Sequence, residues 1–346
     1  MQLMDLVEKK YKIISVVGMA KNAGKTMTLN ALIEEAVERN IRLGITSTGR
    51  DGEKQDLVTA TEKPLIEVAA ETLIATTEET FKFAEAKLEV LEVTDFYTSL
   101  GRIVIARART SGYVEIAGPN TNEEMRLVAE KLLDYGAQLV IVDGAIDRRA
   151  AASPSVTEAT ILATGAVLSR DMDQVIERSL HQTRLFALPR VEDQEIRKLM
   201  TAMMGEKGYY LIDEQGGFQR LEIKTALNSG SYIGRALEEK TRYVVLPGSL
   251  VTKTLKDILS TTQRYKQVVF VVKDATKIFI DVKDFLYFEK MGVRIAVLDA
   301  TLALAVTVNP YAPQGYYFNP QEFRDKMEQF LKPLPVFDVV LGGEGS

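Results

Sequence analysis

Residues 13–32 constrain the fold more than any other stretch. An apolar run, Ile13-Ile14-Ser15-Val16-Val17, leads into Gly18-Met19-Ala20-Lys21-Asn22-Ala23-Gly24-Lys25-Thr26, and the apolar spacing that follows is helical. Strand, glycine-bearing loop, Lys-Thr and helix, in that order, predict a phosphate-binding turn. Glycine lets backbone N–H groups close on an anion, and the positive end of the next helix points at the same place. In such a turn Lys25 reaches the β- and γ-phosphates, while the Thr26 hydroxyl holds Mg²⁺. The expectation is a nucleoside triphosphate site formed by Gly18, Lys21, Asn22, Ala23, Gly24, Lys25, Thr26 and Met27. The usual pattern has four residues between its two glycines. Here five separate Gly18 from Gly24, with Met19 where the first glycine is expected.

The helix after Lys25 places Leu29, Leu32, Ile33, Ala36 and Val37 on one face, and Asn40 suits a left-handed end. A second strand, residues 41–48, leads to Gly49-Arg50-Asp51-Gly52-Glu53-Lys54-Gln55-Asp56. Carboxylates just beyond a strand end lie where an α/β sheet collects ligands. Asp51 is the candidate for gating hydrolysis or orienting the attacking group; the alternative is a polar turn. Residues 57–120 read as a β-rich insertion, with strands at 88–93, 103–106 and 113–116. On the last of these, Glu115 either faces the nucleotide or, as alternation favours, the solvent.

A capped amphipathic helix is expected over 121–133, followed by the apolar strand Gln138-Leu139-Val140-Ile141-Val142 ending at Asp143. A carboxylate at the end of a buried strand suits a magnesium ligand beside Thr26. Asp143 is therefore the second metal candidate and, with Lys25 and Asp51, the third catalytic one. Arg148 and Arg149 either stabilise phosphate charge or lie on the surface. Residues 166–169 read as a strand, and the single histidine, His181, falls in a helix as a structural or exposed residue. A helix with Gly205 and Gly208 after it marks a connector. This divides the chain into a nucleotide-binding domain, 1–205, and a smaller α/β domain, 206–346, in which strands alternate with helices. Asn309-Pro310-Tyr311-Ala312-Pro313-Gln314-Gly315-Tyr316-Tyr317 is either a stiff aromatic partner surface or a packed connection.

Composition narrows the classes. At 346 residues, 46% hydrophobic and 26% charged, the chain reads as a soluble globular protein of two domains. A net charge of −5 gives no general attraction to nucleic acid or anionic membranes. The absence of cysteine removes disulfides and thiolate chemistry and agrees with a reducing cytoplasm. No stretch reads as a signal peptide or membrane span. Nor does the chain contain an Asn/Thr-Lys-x-Asp tetrapeptide, which favours ATP over GTP.

The loop at 18–26 resembles that of the P-loop branch containing dethiobiotin synthetase, the molybdenum-cofactor accessory GTPases and the partition-type ATPases. Dethiobiotin synthetase has the same five-residue spacing. Several members carry a second lysine that acts across a homodimer, and Lys21 is the candidate here, one position closer to Gly24 than usual. Together with Leu43-Gly44-Ile45-Thr46-Ser47-Thr48-Gly49-Arg50-Asp51-Gly52-Glu53-Lys54-Gln55-Asp56-Leu57 and Val142-Asp143-Gly144-Ala145-Ile146-Asp147-Arg148-Arg149, the loop is similar to the small reactivase subunit associated with lysine 5,6-aminomutase and ornithine aminomutase. The similarity runs through most of the first 190 residues. It implies an accessory ATPase that works with a larger ATPase subunit and ejects damaged cobalamin from an adenosylcobalamin-dependent aminomutase. The chain lacks the Asp-x-His-x-x-Gly that ligates cobalamin, so any cobalamin contact is indirect. Two further readings remain open: an ATP-dependent small-molecule ligase or kinase, and a nucleotide-binding regulator that scarcely hydrolyses.

Overall fold

The computed structural model describes residues 1–48, 66–145, 151–206, 208–223 and 228–339. In chain order the elements are α1 (Met4–Val7), β1 (Ile13–Gly18), α2 (Lys25–Glu38), β2 (Leu43–Ser47), β3 (Ile66–Val68), β4 (Leu73–Thr77), α3 (Glu78–Phe81), β5 (Leu88–Thr98), β6 (Gly101–Ala108), β7 (Gly112–Val114), α4 (Asn122–Asp134), β8 (Leu139–Ala145), β9 (Ala159–Gly165) and α5 (Met172–Phe186). There follow α6 (Gln194–Gly205), β10 (Tyr209–Asp213), β11 (Phe218–Leu221), α7 (Ser229–Ala236), β12 (Thr241–Val245), β13 (Leu250–Val251), α8 (Thr252–Thr261), β14 (Val269–Val272), β15 (Ile278–Phe279), α9 (Val282–Lys290), β16 (Arg294–Val297), β17 (Ala303–Asn309), α10 (Pro320–Leu331) and β18 (Val336–Asp338).

Two compact units result, Met1–Leu180 with Leu302–Ser346, and His181–Thr301. This differs from the expected boundary after residue 205. The reason lies in β17, whose Ala305, Val306 and Val308 are buried and which pairs in parallel with β9. The last two strands therefore complete the first sheet rather than a second domain.

That first sheet has nine strands in the order β18-β17-β9-β1-β8-β2-β4-β6-β5. From β18 to β4 neighbouring strands run parallel, and β6 and β5 extend the sheet as an antiparallel hairpin. The segment expected to be an insertion thus supplies one edge of the main sheet. Central strands in such a sheet are covered on both faces and read as continuous apolar runs. All six residues of β1 are buried accordingly. Helix α2 lays Leu29, Leu32, Ile33 and Ala36 over Ile14, Val16, Ile45 and Ile161. Val37, expected on the same face, is 53% exposed because the helix ends one residue later, at Glu38. Asn40 does take the left-handed conformation, with φ 54°. Residues 166–168 form a 3-10 turn; the strand expected there lies just before it, as β9.

The unit His181–Thr301 carries a five-stranded sheet, β11-β10-β12-β14-β16. β12, β14 and β16 are parallel, and β10 and β11 form an antiparallel edge hairpin. One face packs Leu255, Ile258, Phe285 and Phe288 of α8 and α9; the other packs Ile196, Met200 and Met203 of α6. Among the described residues, no helix is long and apolar enough to cross a membrane.

Candidate functional site

The loop between β1 and α2 is held by its neighbours and by two left-handed residues. The Met19 N–H donates to the Ala163 carbonyl of β9 at 2.8 Å, and the Ala23 N–H to Ala20 O at 3.2 Å. Asn22 has φ 65° and Gly24 φ 100°, conformations that cost little for glycine and are tolerated by asparagine. Gly24 is doubly required. A Cβ there would lie 2.9 Å from the Cβ of Asn309, closer than packed carbons approach.

Helix α2 starts directly from Gly24, with no side chain capping its first turn and no acidic residue within it. Helices α7 and α8 also start without a side-chain cap, whereas α4, α6, α9 and α10 are capped by Thr121, Asp193, Asp281 and Asn319. The first N–H groups of α2 thus keep their anion-binding capacity. Its first residue, Lys25, sends its ammonium to Asp143 Oδ2 at 3.0 Å, with side chains 25% and 15% exposed. Asp143 comes to this point because β8 runs parallel to β1, in register with Val16 on one side and with Ser47 of β2 on the other. Its carbonyl accepts the Thr48 N–H at 2.9 Å, so the end of β2 is tied to the same place.

The structure therefore brings Gly18, Gly24, Lys25 and Asp143 together. Ala23 and Gly24 are buried, Thr26 is half-buried, and Lys21 and Asn22 are exposed on the outer turn. Met27, also exposed, faces outward from the first turn of α2. Asp51 and its loop, and Arg148 and Arg149, lie outside the described residues. Glu115 is buried, against the alternation that turned it to solvent. β7 stops at Val114, so the alternation has no strand to continue along. The backbone carbonyl of Glu115 accepts from the Thr76 hydroxyl at 3.1 Å. His181 is structural, its Nε2 2.9 Å from Ile280 O and its ring edge-on to Phe285.

Three residues hold this loop that the sequence had not placed at the site, although Asn309 opens the stretch 309–317 noted above. Asn309, at the end of β17, donates from Nδ2 to Asn22 O at 3.3 Å and packs on Gly24. Gly165, at the end of β9, leaves room for that contact, since a Cβ would meet Asn309 O at 2.6 Å. Thr307 of β17 shares a 2.6 Å hydroxyl bond with Thr28, which donates to Gly24 O at 3.1 Å. The available signal was the apolar run 303–308 ending in Asn309-Pro310, a strand with a polar residue at its mouth.

Comparison with protein-family models, with curated proteins and with solved structures finds no match.

Proposed function

We propose that the chain binds ATP with Mg²⁺ at the loop between β1 and α2, and acts as an accessory ATPase that remodels a partner enzyme. The observation that carries the nucleotide reading is the Lys25–Asp143 pair, set at 3.0 Å against the uncapped start of α2. A half-buried ammonium beside open backbone donors suits a polyphosphate, whose oxygens match it better than one carboxylate does. On binding, Lys25 would turn to the phosphate oxygens. Thr26 and Asp143 would then hold the cation with the phosphate oxygens. This fits the chemistry of the donors present, a hydroxyl oxygen on Thr26 and a carboxylate on Asp143, which are the hard oxygen ligands that Mg²⁺ takes. Bound Mg²⁺ supplies charge neutralisation on the transferring phosphate.

The absence of a guanine-reading tetrapeptide supports ATP over GTP. The resemblance to the small reactivase subunit supports an aminomutase requiring adenosylcobalamin as the partner, alone or with a larger ATPase subunit. Calorimetry tests the site. Mg-ATP should bind the wild-type protein more tightly than Mg-GTP does, and Lys25→Ala should weaken ATP at least about 100-fold. Lack of ATP binding by the wild type removes the proposal. Turnover stimulated by an aminomutase supports the accessory role, whereas stimulation by a small carboxylic acid would make the protein a ligase.

A further inference from the structure

In the unit His181–Thr301 the sheet ends on β16, and bonding beyond that edge is confined to one end of the strand. Val297 N–H donates to Pro189 O at 2.9 Å, and Val297 O accepts from Val191 N–H at 3.0 Å. Arg190 and Val297 thus form an isolated parallel bridge. Along a strand in a parallel sheet, alternate residues turn their main-chain groups to the same side. Leu298 points inward, its N–H meeting the carbonyls of Val272 and Lys273. Ile295, two residues before Val297, is turned outward as Val297 is. Its N–H and C=O face away from β14, the one strand paired with β16 over these residues, and no bond beyond the sheet joins them to the described residues.

Beside Ile295, segment 188–193 parts from β16 and leaves a cavity of about 670 Å³. The cavity straddles the strand edge. On one face it reaches Phe285 and Phe288 of α9, and on the other Tyr243 and Val269, which belong to the α6 side of the sheet. An outward donor and acceptor with apolar walls on both faces is the surface that an added strand uses. Main-chain bonds run to the edge while successive side chains drop to opposite faces. A hydrocarbon ligand would fill the walls but leave the Ile295 groups desolvated and unmet, which is costly. At the rim, exposed Arg294 and Glu289 form no ion pair among the described residues.

The geometry points to a peptide-binding site: the unit His181–Thr301 takes up an extended segment of a partner protein by strand addition along Ile295. The segment has a short apolar run, whose residues enter both walls, flanked by one acidic residue for Arg294 and one basic residue for Glu289. This site stands apart from the nucleotide proposal and holds or fails whether or not ATP binds.

The test uses the full chain and two fluorescein-labelled pentapeptides, Glu-Val-Ile-Val-Lys and its reverse, with fluorescence anisotropy and amide hydrogen exchange. One of the two is expected to bind saturably and to slow exchange at the Ile295 amide about tenfold. Backbone N-methylation at one apolar position should weaken it about tenfold, and methylation at the adjacent position should not, since only alternate N–H groups face the edge. The charge variant Arg294→Glu should weaken the bound peptide without changing the fold seen by circular dichroism. Absence of binding by both peptides up to about 1 mM, the weak end of specific recognition, overturns the proposal. So does binding that is indifferent to the position of N-methylation, and so does protection of Ile295 by self-association without peptide.

Discussion

The two sheets are assembled from the same strand–helix units, yet they wind differently. In the larger sheet the chain leaves β1 towards β2 and β4, then returns through β9, β17 and β18 on the other side, so its direction reverses between β1 and β9. In the smaller sheet β10, β12, β14 and β16 follow one another across the sheet in chain order. Where winding reverses, the loops at the strand ends diverge and leave a crevice. The loop at 19–24, Lys25 and Asp143 all gather there. The parallel strands of the smaller sheet, β12, β14 and β16, run on in one direction without a reversal, and open groups lie along its outer strand instead. Layer type alone therefore says little about where a ligand binds; the order of the strands decides it.

The largest test of this contrast is a core truncation in the smaller unit. Phe288 is fully buried between α9 and the sheet, so Phe288→Ala should cost about 4 kcal/mol. Denaturant titration followed by a probe in each unit should show the transition of His181–Thr301 moving to lower denaturant, with ATP binding kept below it. Loss of ATP binding before that transition would show that the two units do not act separately. A smaller effect is expected at the crevice itself. Gly24→Ala meets both a positive φ and the Asn309 Cβ at 2.9 Å, and should cost about 2 kcal/mol. It should also weaken ATP more than it lowers the melting temperature of the smaller unit; unchanged ATP affinity would mean that the Gly24 turn is not the phosphate contact.

The smallest effect is one of pH. Burial raises the Glu35 carboxyl above its ordinary value of 4.5, against the N–H groups of Met4 and Leu3 that it accepts from. An acid whose folded value is raised holds its proton more tightly when folded. Its contribution is therefore complete below the ordinary value and is lost as pH rises through the raised one. Melting curves from neutrality down to the ordinary glutamate range should show the wild type gaining on Glu35→Gln, while the smaller unit shows no such difference. Parallel curves for the two proteins would remove Glu35 as the cause.

What could be read from the sequence was what is local. The run from Ile13 through Thr26 writes strand, turn and helix within one contiguous segment, and Asp143 follows the apolar run Leu139–Val142, two residues before its strand ends. The capped start of the helix expected over 121–133 was legible too; the hydroxyl of Thr121 takes the Glu124 N–H. Contacts between distant segments were not legible. Asn309 reaches Asn22 across 287 positions, and no periodicity in either stretch encodes that meeting. The same limit hid the membership of β17, because an apolar strand carries no label for the sheet it will join. The β10–β11 hairpin did have a signal, Asp213-Glu214-Gln215-Gly216-Gly217 with Gly216 at φ 84°, but Gly205 and Gly208 just before it drew the reading towards a connector. Val37 and Glu115 failed for a simpler reason. Val37 lies in the last turn of α2 and Glu115 just beyond the end of β7, where the repeat that assigns a face no longer applies.

The discontinuity of the first unit has a consequence for synthesis. β1, α2 and β8 emerge early, but β17, which supplies Asn309 and Thr307 to the loop, follows only after the whole of His181–Thr301. About 130 residues separate Leu180 from Asn309, on the order of 10 s of translation. Through that interval the nascent sheet carries β9 without its β17 partner, and Gly24 lacks its contact with Asn309. The smaller unit has its entire sequence outside the ribosome before the larger one can close, so the chain is expected to finish its folding in the reverse of the order in which it begins.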